Sequence, residues 1–212
     1  MTVASLAEIC RVHELIADRG NGTTAIDKRP VEGAVRVKPF GIFGDVQVDR
    51  KYHGGLWKAV YAYASEDAAY FEDLLGRPVS PGTFGENLRT QGIDVNAAII
   101  GERWQIGAKV VVEVTTPRTP CGTFARRMGD RAWVKKFDDA KRPGTYLRVI
   151  KSGDIQRGDS IEVLSRPAHG VAIRDWFARH DAETAAILRD AAAQGLSLDP
   201  EIERDIKKIL GL

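Results

Sequence analysis

Short runs of alternating apolar and polar residues, separated by glycine and proline, fill the chain from its start to about residue 166. A period of two is typical of strands that bury one face. The clearest run is WQIGAKVVVEV at 104–114, and shorter ones are WKAVYAY (57–63), TYLRVI (145–150) and SIEVL (160–164). Many short strands with few helices predict a mostly β fold, and we expect a closed β-barrel with a few surface helices.

One helix is predicted among the strands. The segment SEDAAYFEDLLG has Ser65 as its N-cap, acidic residues in the first turn, an apolar face and Gly76 just past its end. These are the start and stop signals of a complete helix.

The pattern changes at the C-terminal end, where glycine and proline become sparse. Three helices are predicted there: AIRDWFARH, DAETAAILRDAAA capped by Asp181, and DPEIERDIKKIL capped by Asp199. We therefore expect a β domain at 1–166 and a small all-α appendage at 167–212. One stripe of the last helix is apolar, and we interpret it as packing against the barrel or against a second copy of the chain, which would make a homodimer (Ile202, Ile206, Ile209 and Leu210).

Composition gives no reason to expect a nucleic-acid or membrane partner. The 212 residues are 43% hydrophobic and 28% charged, and 31 basic against 29 acidic residues leave a net charge of +2. No apolar run is long enough to span a membrane, and the N-terminal segment carries acids that a secretory signal lacks, so a cytoplasmic location is expected. Two cysteines, Cys10 and Cys121, make neither a disulfide framework nor a zinc site.

The segment TTPRTPCGTFARR at 115–127 gives Cys121 an unusual setting. Two prolines hold the chain extended before the thiol, so that Cys121 is predicted to lie between a strand and a helix that begins near Gly122. The helix dipole and nearby cations are expected to lower the thiol pKa. Basic residues outnumber the one acid, Asp130, between 118 and 136: Arg118, Arg126, Arg127, Arg131, Lys135 and Lys136. The alternative, a cysteine that is a small buried hydrophobe, is our interpretation of Cys10.

Two further segments carry candidate binding residues. GDVQVDRKYHGG joins Arg50, Lys51 and His53 to a Gly54-Gly55 pair, whose backbone can approach an anion closely, although a plain tight turn explains it equally well. PGTFGENL places Glu86 and Asn87 on a turn before another strand-like run, which alone is weak evidence of a site.

Together, in this order and followed by G-x-x-W-x-I-G and TTPRTPC, these segments resemble the MOSC family, named for the C-terminal domain of molybdenum cofactor sulfurases. The resemblance covers roughly residues 30–165, and the helical tail resembles the three-helix appendage of the bacterial YiiM-like branch. It implies a β-barrel, a molybdenum cofactor (molybdopterin) and a cysteine, here Cys121, that binds the metal or carries sulfur. In the YiiM-like branch the implied activity is reduction of N-hydroxylated compounds such as N-hydroxylated purine base analogues.

On this resemblance we assign expected roles to the candidate residues. Cys121 would be the metal ligand, His53 the proton donor, with an ordinary pKa near about 6.5, and Glu86 its partner across the pocket. Charged and polar groups would hold the phosphate and pterin of the cofactor: Arg50, Lys51, Gly54, Gly55, Asn87, Arg118 and Arg148.

Three functions remain open on the sequence. The first is a molybdenum-dependent reductase of a small N-hydroxylated molecule. Because two isolated cysteines cannot hold an iron–sulfur cluster, it would take electrons from a separate flavoprotein or iron–sulfur reductase. The second is a carrier of the cofactor or of sulfane sulfur without turnover, and the third is an anion-binding barrel without metal.

Overall fold

The computed structural model describes residues 3–20, 22–50 and 53–212. Eleven strands and six helices are present in this part of the chain. The strands are β1 (Ser5–Asp18), β2 (Gly22–Pro30), β3 (Val35–Lys38), β4 (Gly41–Ile42), β5 (Val60–Ala64), β6 (Leu88–Gln91), β7 (Arg103–Ile106), β8 (Val110–Pro117), β9 (Thr145–Lys151), β10 (Gly153–Ile155) and β11 (Ile161–Ser165). The helices are α1 (Ser65–Leu75), α2 (Gly122–Met128), α3 (Trp133–Ala140), α4 (Ile173–Arg179), α5 (Ala182–Ala193) and α6 (Pro200–Leu210).

Eight strands form one open sheet in the order β11-β7-β8-β9-β5-β6-β1-β2, and β10-β3-β4 form a second, smaller sheet. All pairs are antiparallel except β5 with β6. The mostly β fold is confirmed, but the closed barrel is wrong. Between the β11 end of the sheet and β1 no continuous strand pairing forms among the described residues. The contact there is an isolated bridge, Ser5 to Ser160, flanked by a few backbone hydrogen bonds such as that from the amide of Ile161 to the carbonyl of Ala4 at 2.8 Å.

The central strand β5 is buried on both faces. Val60, Ala62 and Ala64 face one apolar cluster, and Tyr61 and Tyr63 face another. The second cluster is aromatic and is covered by α1, α2 and α3, with Phe84, Phe124, Trp133 and Phe137 in contact. A strand that is buried on both faces carries large or apolar side chains at every position, as the sequence VYAYA of β5 does.

Local sequence patterns predicted most elements but missed details. The run at 104–114 is two strands with a turn around Gly107, since β7 and β8 pair as a hairpin. Helix α1 has Ala64, not Ser65, at its N-cap, although Gly76 ends it in the left-handed conformation as expected. The run at 57–63 becomes strand only from Val60, because the residues before it form a turn.

The three C-terminal helices are present as predicted, with Asp181 capping α5 and Asp199 capping α6 through backbone amides. The apolar stripe of α6 packs within the chain: Ile202 and Ile206 are buried in the same cluster as the sheet residues, and Ile209 and Leu210 lie against it. Of the helices in the described ranges, none has the length and apolar character needed to cross a membrane.

Candidate functional site

A cavity lies where the β2 and β5 strands, the segment after β4 and the start of α2 meet. Its strand side has a volume of about 100 Å³ and its helix side one of about 420 Å³, and the helix side falls in the roughly 300–1,000 Å³ range of small-molecule sites. Its helix side adjoins Pro117, Pro120 and the tail helix α6. Six residues line both sides: Asp49, His53, Lys58, Cys121, Thr123 and Tyr146.

Cys121 lies at the strand-to-helix junction that the prolines predicted. Strand β8 ends at Pro117, and Cys121 is the extended N-cap residue before α2. The thiol is partly exposed and faces the cavity, whereas Cys10 is fully buried and burial raises its pKa well above the ordinary value. The two cysteines therefore differ as expected: one is accessible to a ligand and the other is a core side chain.

His53 lines the same cavity as the thiol. Its Nδ1 atom is 3.2 Å from the hydroxyl oxygen of Tyr146. Burial, and next the positive charge of Arg118, lower the pKa of His53 to about 4. Burial raises the pKa of Tyr146 to about 12, so the pair is neutral at pH 7. The ordinary imidazole pKa expected from the sequence is wrong in this setting.

Arg118 is the most deeply buried cation among the described residues that line the cavity. Its guanidinium lies 4.0 Å from the ring centre of Phe124 and 5.4 Å from that of Tyr61, and the residue is 5% exposed. Among the described residues, its Nη1 atom has no acceptor within hydrogen-bonding distance. A buried N–H group without a partner costs free energy, which a bound anion would recover.

The basic cluster predicted around Cys121 is largely neutralised by acids from distant parts of the chain. Asp18, at the end of β1, accepts a bond of 2.7 Å from Arg126, and Asp27 on β2 accepts one of 2.6 Å from Arg127. Helix α3 and the turn before it pair the two lysines with local acids (Lys135 with Asp139, and Lys136 with Asp130). Of the predicted cations, only Arg118 lines the strand side of the cavity.

Glu86 is not the partner of His53. Its side chain is fully buried and accepts hydrogen bonds from the amides of Gly82 at 2.8 Å and Phe84 at 3.0 Å, and from Nε of Arg89 at 2.9 Å. It does not line the cavity. The GEN segment therefore fixes the turn before β6, and the predicted proton relay between Glu86 and His53 does not form.

Asn87 lines the strand side of the cavity, but its side chain is already bonded. It donates to the carbonyl of Cys10 at 3.3 Å and to Asp45 at 2.8 Å, and it accepts from the amide of Tyr61 at 3.2 Å. Asn87 thus ties β1 and β5 together below the cavity. Its predicted contact with a cofactor stays a prediction.

The remaining predicted binding residues contribute less than the sequence suggested. Arg148 is bonded to Glu113 at 2.6 Å and stacks on Trp57 at 4.3 Å, away from the cavity. The amide of Gly55 donates to the side chain of Gln47, and Gly54 packs against the same side chain, so this pair builds a turn rather than an anion cradle. Arg50 is exposed and does not line the cavity, and Lys51 lies outside the described residues.

Several residues that line the cavity were not indicated as site residues by any local sequence pattern. Lys28 on β2 pairs with Asp45, Lys58 pairs with Glu201 on α6, and Tyr61 and Tyr146 form adjacent rings 5.2 Å apart on β5 and β9. The lysines and acids of each pair come from segments far apart in the chain. Only the tyrosines could have been proposed, as large polar-tipped side chains within otherwise apolar strands.

Residues 49–162 match the MOSC domain family. This segment is more than half of the chain. The chain belongs to the MOSC domain family. The motif resemblance inferred from the sequence is thereby confirmed, and the match spans Cys121, His53 and most of the cavity.

Relatives and solved structures agree with this assignment. YflK of Bacillus subtilis (strain 168) is 36% identical over 177 residues, which are 80% of this chain and 79% of YflK. A protein named Reductase from Gibberella moniliformis is 33% identical over 153 residues, 70% of this chain but 27% of that protein. The crystal structure of YiiM from Geobacillus stearothermophilus superposes with a TM-score of 0.78 at 25% identity, covering 98% of this chain and 99% of that one.

Proposed function

We propose that this MOSC protein binds a molybdenum cofactor and reduces small N-hydroxylated compounds, such as N-hydroxylated purine bases. One observation carries the proposal: a partly exposed thiol, Cys121, lines the same cavity as Arg118, whose buried guanidinium has an N–H group with no acceptor in the part of the chain that the structure describes. A thiolate is a metal ligand, and a cation without a carboxylate partner suits an anionic cofactor. The family membership and the relative named a reductase support the same conclusion.

The residues present fit a metal that arrives with other ligands attached. Among the described residues, no three histidine, cysteine or acidic side chains are grouped so as to hold an ion. Cys121 could therefore supply one ligand only, and a dithiolene-bound molybdenum needs no more from the protein. When bound, the cofactor would supply two-electron redox chemistry and accept the oxygen of the N–O bond.

Reduction of the N–OH group to an amine and water consumes two protons with the two electrons, and both protons would pass in turn through His53. Since His53 is neutral at pH 7, it would act as a relay, taking a proton at one ring nitrogen while the other gives one up. Tyr146, which stays protonated, would orient the imidazole. Arg118 would hold an anionic group of the cofactor and, by its charge, keep His53 from remaining protonated between turnovers.

The electrons would come from a separate flavoprotein or iron–sulfur reductase, because the described residues offer two cysteines with very different surroundings and no cluster ligands. A carrier of the cofactor would need the thiol and the cation but not the His53–Tyr146 contact. That contact favours the enzyme.

The test is molybdenum content and turnover of the full chain produced in cells that synthesise the cofactor. The wild-type protein should hold molybdenum and should reduce an N-hydroxylated purine with a reduced viologen as electron donor. The Cys121→Ser variant should show molybdenum content and turnover that are each lower by at least about tenfold. The matched variant Cys10→Ala, at the buried thiol, should keep the wild-type molybdenum content and turnover.

Each result separates the proposals. Molybdenum without turnover under a strong artificial donor would favour the carrier. Wild-type protein that holds no molybdenum under anaerobic, reducing preparation would leave an anion-binding protein and would overturn the proposed function.

A further inference from the structure

Five exposed apolar side chains are grouped beside the strand side of the cavity. We call them the rim patch: Phe40, Phe43, Val46, Val48 and Leu56. Phe40 and Phe43 are 65% and 61% exposed, whereas the other five phenylalanines of the chain are buried or half-buried. Val46 and Val48 also line the strand side of the cavity. Single exposed apolar residues are ordinary, but a group of them at the opening of a site indicates a surface that another molecule covers.

Gln47 holds the segments of the rim patch together. Its Nε2 atom donates to the carbonyls of Phe40 at 3.0 Å and Ala59 at 3.3 Å, and its Oε1 atom accepts a bond of 2.9 Å from the amide of Gly55. One side chain thus joins the β3–β4 hairpin, the segment after it and the turn before β5. The patch is therefore one surface that is organised before a partner arrives, rather than a set of separate loops.

The border of the rim patch is basic. The ammonium of Lys38 lies 4.5 Å from the ring centre of Phe43, and Nη1 of Arg11 donates to the carbonyl of Phe43 at 3.3 Å. Arg50 is exposed at the far end of the same segment. Within the described ranges, no carboxylate lies at ion-pair distance from Lys38, Arg11 or Arg50. These cations are therefore available to attract a negatively charged partner.

The acids of the segment that carries the patch, 38–56, do not neutralise this border. Asp45 is paired with Lys28, and it also accepts bonds of 2.8 Å from Asn87 and from the amide of Val12. Asp49 lines both sides of the cavity. The surface outside the cavity is therefore apolar at its centre and positive at its border, which is complementary to an acidic protein with an apolar contact of its own.

We propose that the rim patch is the docking surface of the electron donor, and that this donor is a small acidic redox protein with a flavin or an iron–sulfur cluster. The inference rests on the proposed function, which takes its electrons from outside the chain. Two reduced donor molecules would dock in turn and each would lose one electron. The two electrons, with two protons, convert one N–OH group to N–H and water. Transient redox complexes bury less than about 1,200 Å² in total, so a small patch is sufficient.

The position of the patch favours a redox protein over a lipid surface. Electron transfer weakens steeply with distance, so the donor must dock close to the site, and Val46 and Val48 connect the patch to the cavity that Cys121 lines. None of the patch residues lines the helix side of the cavity. A substrate could therefore enter on the helix side while a donor covers the strand side.

The kinetic test uses the molybdenum-loaded protein with reduced flavodoxin or reduced plant-type ferredoxin, both acidic, as donor. At least one of them should support turnover. Lys38→Glu should raise the KM for that donor by about five- to tenfold at low ionic strength and by less in about 0.5 M salt, because exposed charges are then screened. Phe43→Ser should raise it by roughly tenfold at both salt concentrations. Turnover with a reduced viologen should stay within about twofold of wild type in both variants.

Two matched variants change the same properties elsewhere on the surface. Leu74→Ser removes an exposed apolar side chain from α1, and Lys208→Glu reverses an exposed charge on α6. Both should leave the KM for the donor within about twofold of wild type. A rise in KM equal to that of Phe43→Ser or Lys38→Glu would mean that the donor docks without regard to the rim patch and would overturn the inference.

Binding of the oxidised donors to the metal-free protein, measured by titration calorimetry at low ionic strength, does not depend on activity. Lys38→Glu and Phe43→Ser should weaken it by the same factors as they raise KM. If the protein holds no molybdenum but the two variants weaken donor binding in this way, the proposed function fails while the docking surface remains. If viologen supports turnover but neither donor does and neither binds, the assigned partner is wrong.

The other occupants of such a surface give different results. Sedimentation with vesicles of phosphatidylcholine and phosphatidylglycerol in equal amounts should leave the wild-type protein in solution. Analytical ultracentrifugation should give wild type and Phe43→Ser the same oligomeric state. Vesicle binding that Phe40→Ser abolishes would assign the patch to a membrane, and a dimer that Phe43→Ser dissociates would assign it to a second copy of the chain. Either result would overturn the inference.

Discussion

Replacing Glu86 separates a structural role from a catalytic one. The residue was expected to act beside His53, but its carboxylate is fully buried and holds two backbone amides and Arg89, which is itself 4% exposed. Glu86→Ala leaves a buried guanidinium without its carboxylate, which costs about 3–5 kcal/mol. The two amides, each worth about 1–3 kcal/mol when unsatisfied, add to this cost to the extent that water cannot reach them.

The free energy of unfolding should therefore fall by at least about 4 kcal/mol in Glu86→Ala, a large share of the roughly 5–15 kcal/mol of a typical domain. Glu86→Gln keeps one acceptor oxygen and should lose roughly half as much. Urea unfolding followed by tryptophan fluorescence measures both. Glu66→Gln is the matched control, since Glu66 is exposed and accepts a single bond of 2.7 Å from the amide of Gly92, worth under about 1 kcal/mol.

Turnover of the folded variant completes the experiment. If Glu86 only fixes the turn, Glu86→Gln should keep kcat within about twofold of wild type at a temperature where it is fully folded. A variant that unfolds at the wild-type urea concentration would refute the argument from burial. A stable variant with a large loss of kcat would restore the catalytic role.

Two further predictions concern His53 and the tail. The pKa of His53 in the folded protein, about 4, lies below its value in the unfolded chain, so the unfolded chain binds more protons between pH 6.5 and 4 and the free energy of unfolding should fall as the pH falls, by at most about 3 kcal/mol. Urea unfolding at pH 7 and pH 4.5 should show this loss in the wild-type protein and a smaller loss in His53→Gln. Equal losses in the two proteins would contradict the assigned pKa. Ile206→Ala should lower the free energy of unfolding by about 2–5 kcal/mol, because the side chain is buried against the sheet. Lys207 is exposed on the same helix, and Lys207→Ala should change the free energy of unfolding by less than about 0.5 kcal/mol. Equal effects of the two substitutions would mean that α6 does not pack as described.

Local patterns in the sequence were sufficient wherever one segment determines its own structure. Caps at Asp181 and Asp199, the strand-like run TYLRVI of β9 and the prolines before Cys121 act within a few residues, and each produced the expected element. Closure of the sheet is a different kind of property. It depends on how far β1, which pairs with β6 along one edge, also pairs with the start of β11 along the other, and no local pattern encodes the length of that pairing.

The charge distribution of the site could not be predicted from the sequence for the same reason. Counting cations near Cys121 predicted a positive pocket, but Asp18 and Asp27 precede the thiol by about a hundred residues and still neutralise Arg126 and Arg127. Burial, which no single residue type reveals, is what lowers the pKa of His53. Composition along one segment therefore overestimates the field that a ligand meets.

Among the described residues, Arg118 differs from the other cavity cations because it has no carboxylate partner. The sheet and the tail supply carboxylates to Arg126, Lys28 and Lys58, whereas Arg118 keeps a hydrogen bond with Tyr146 and one buried N–H group without an acceptor, beside an accessible thiol. The unsatisfied N–H group costs stability at that position. The free energy lost there is available to a ligand that carries both a negative charge and an atom that binds sulfur, which is why the two features belong to one site.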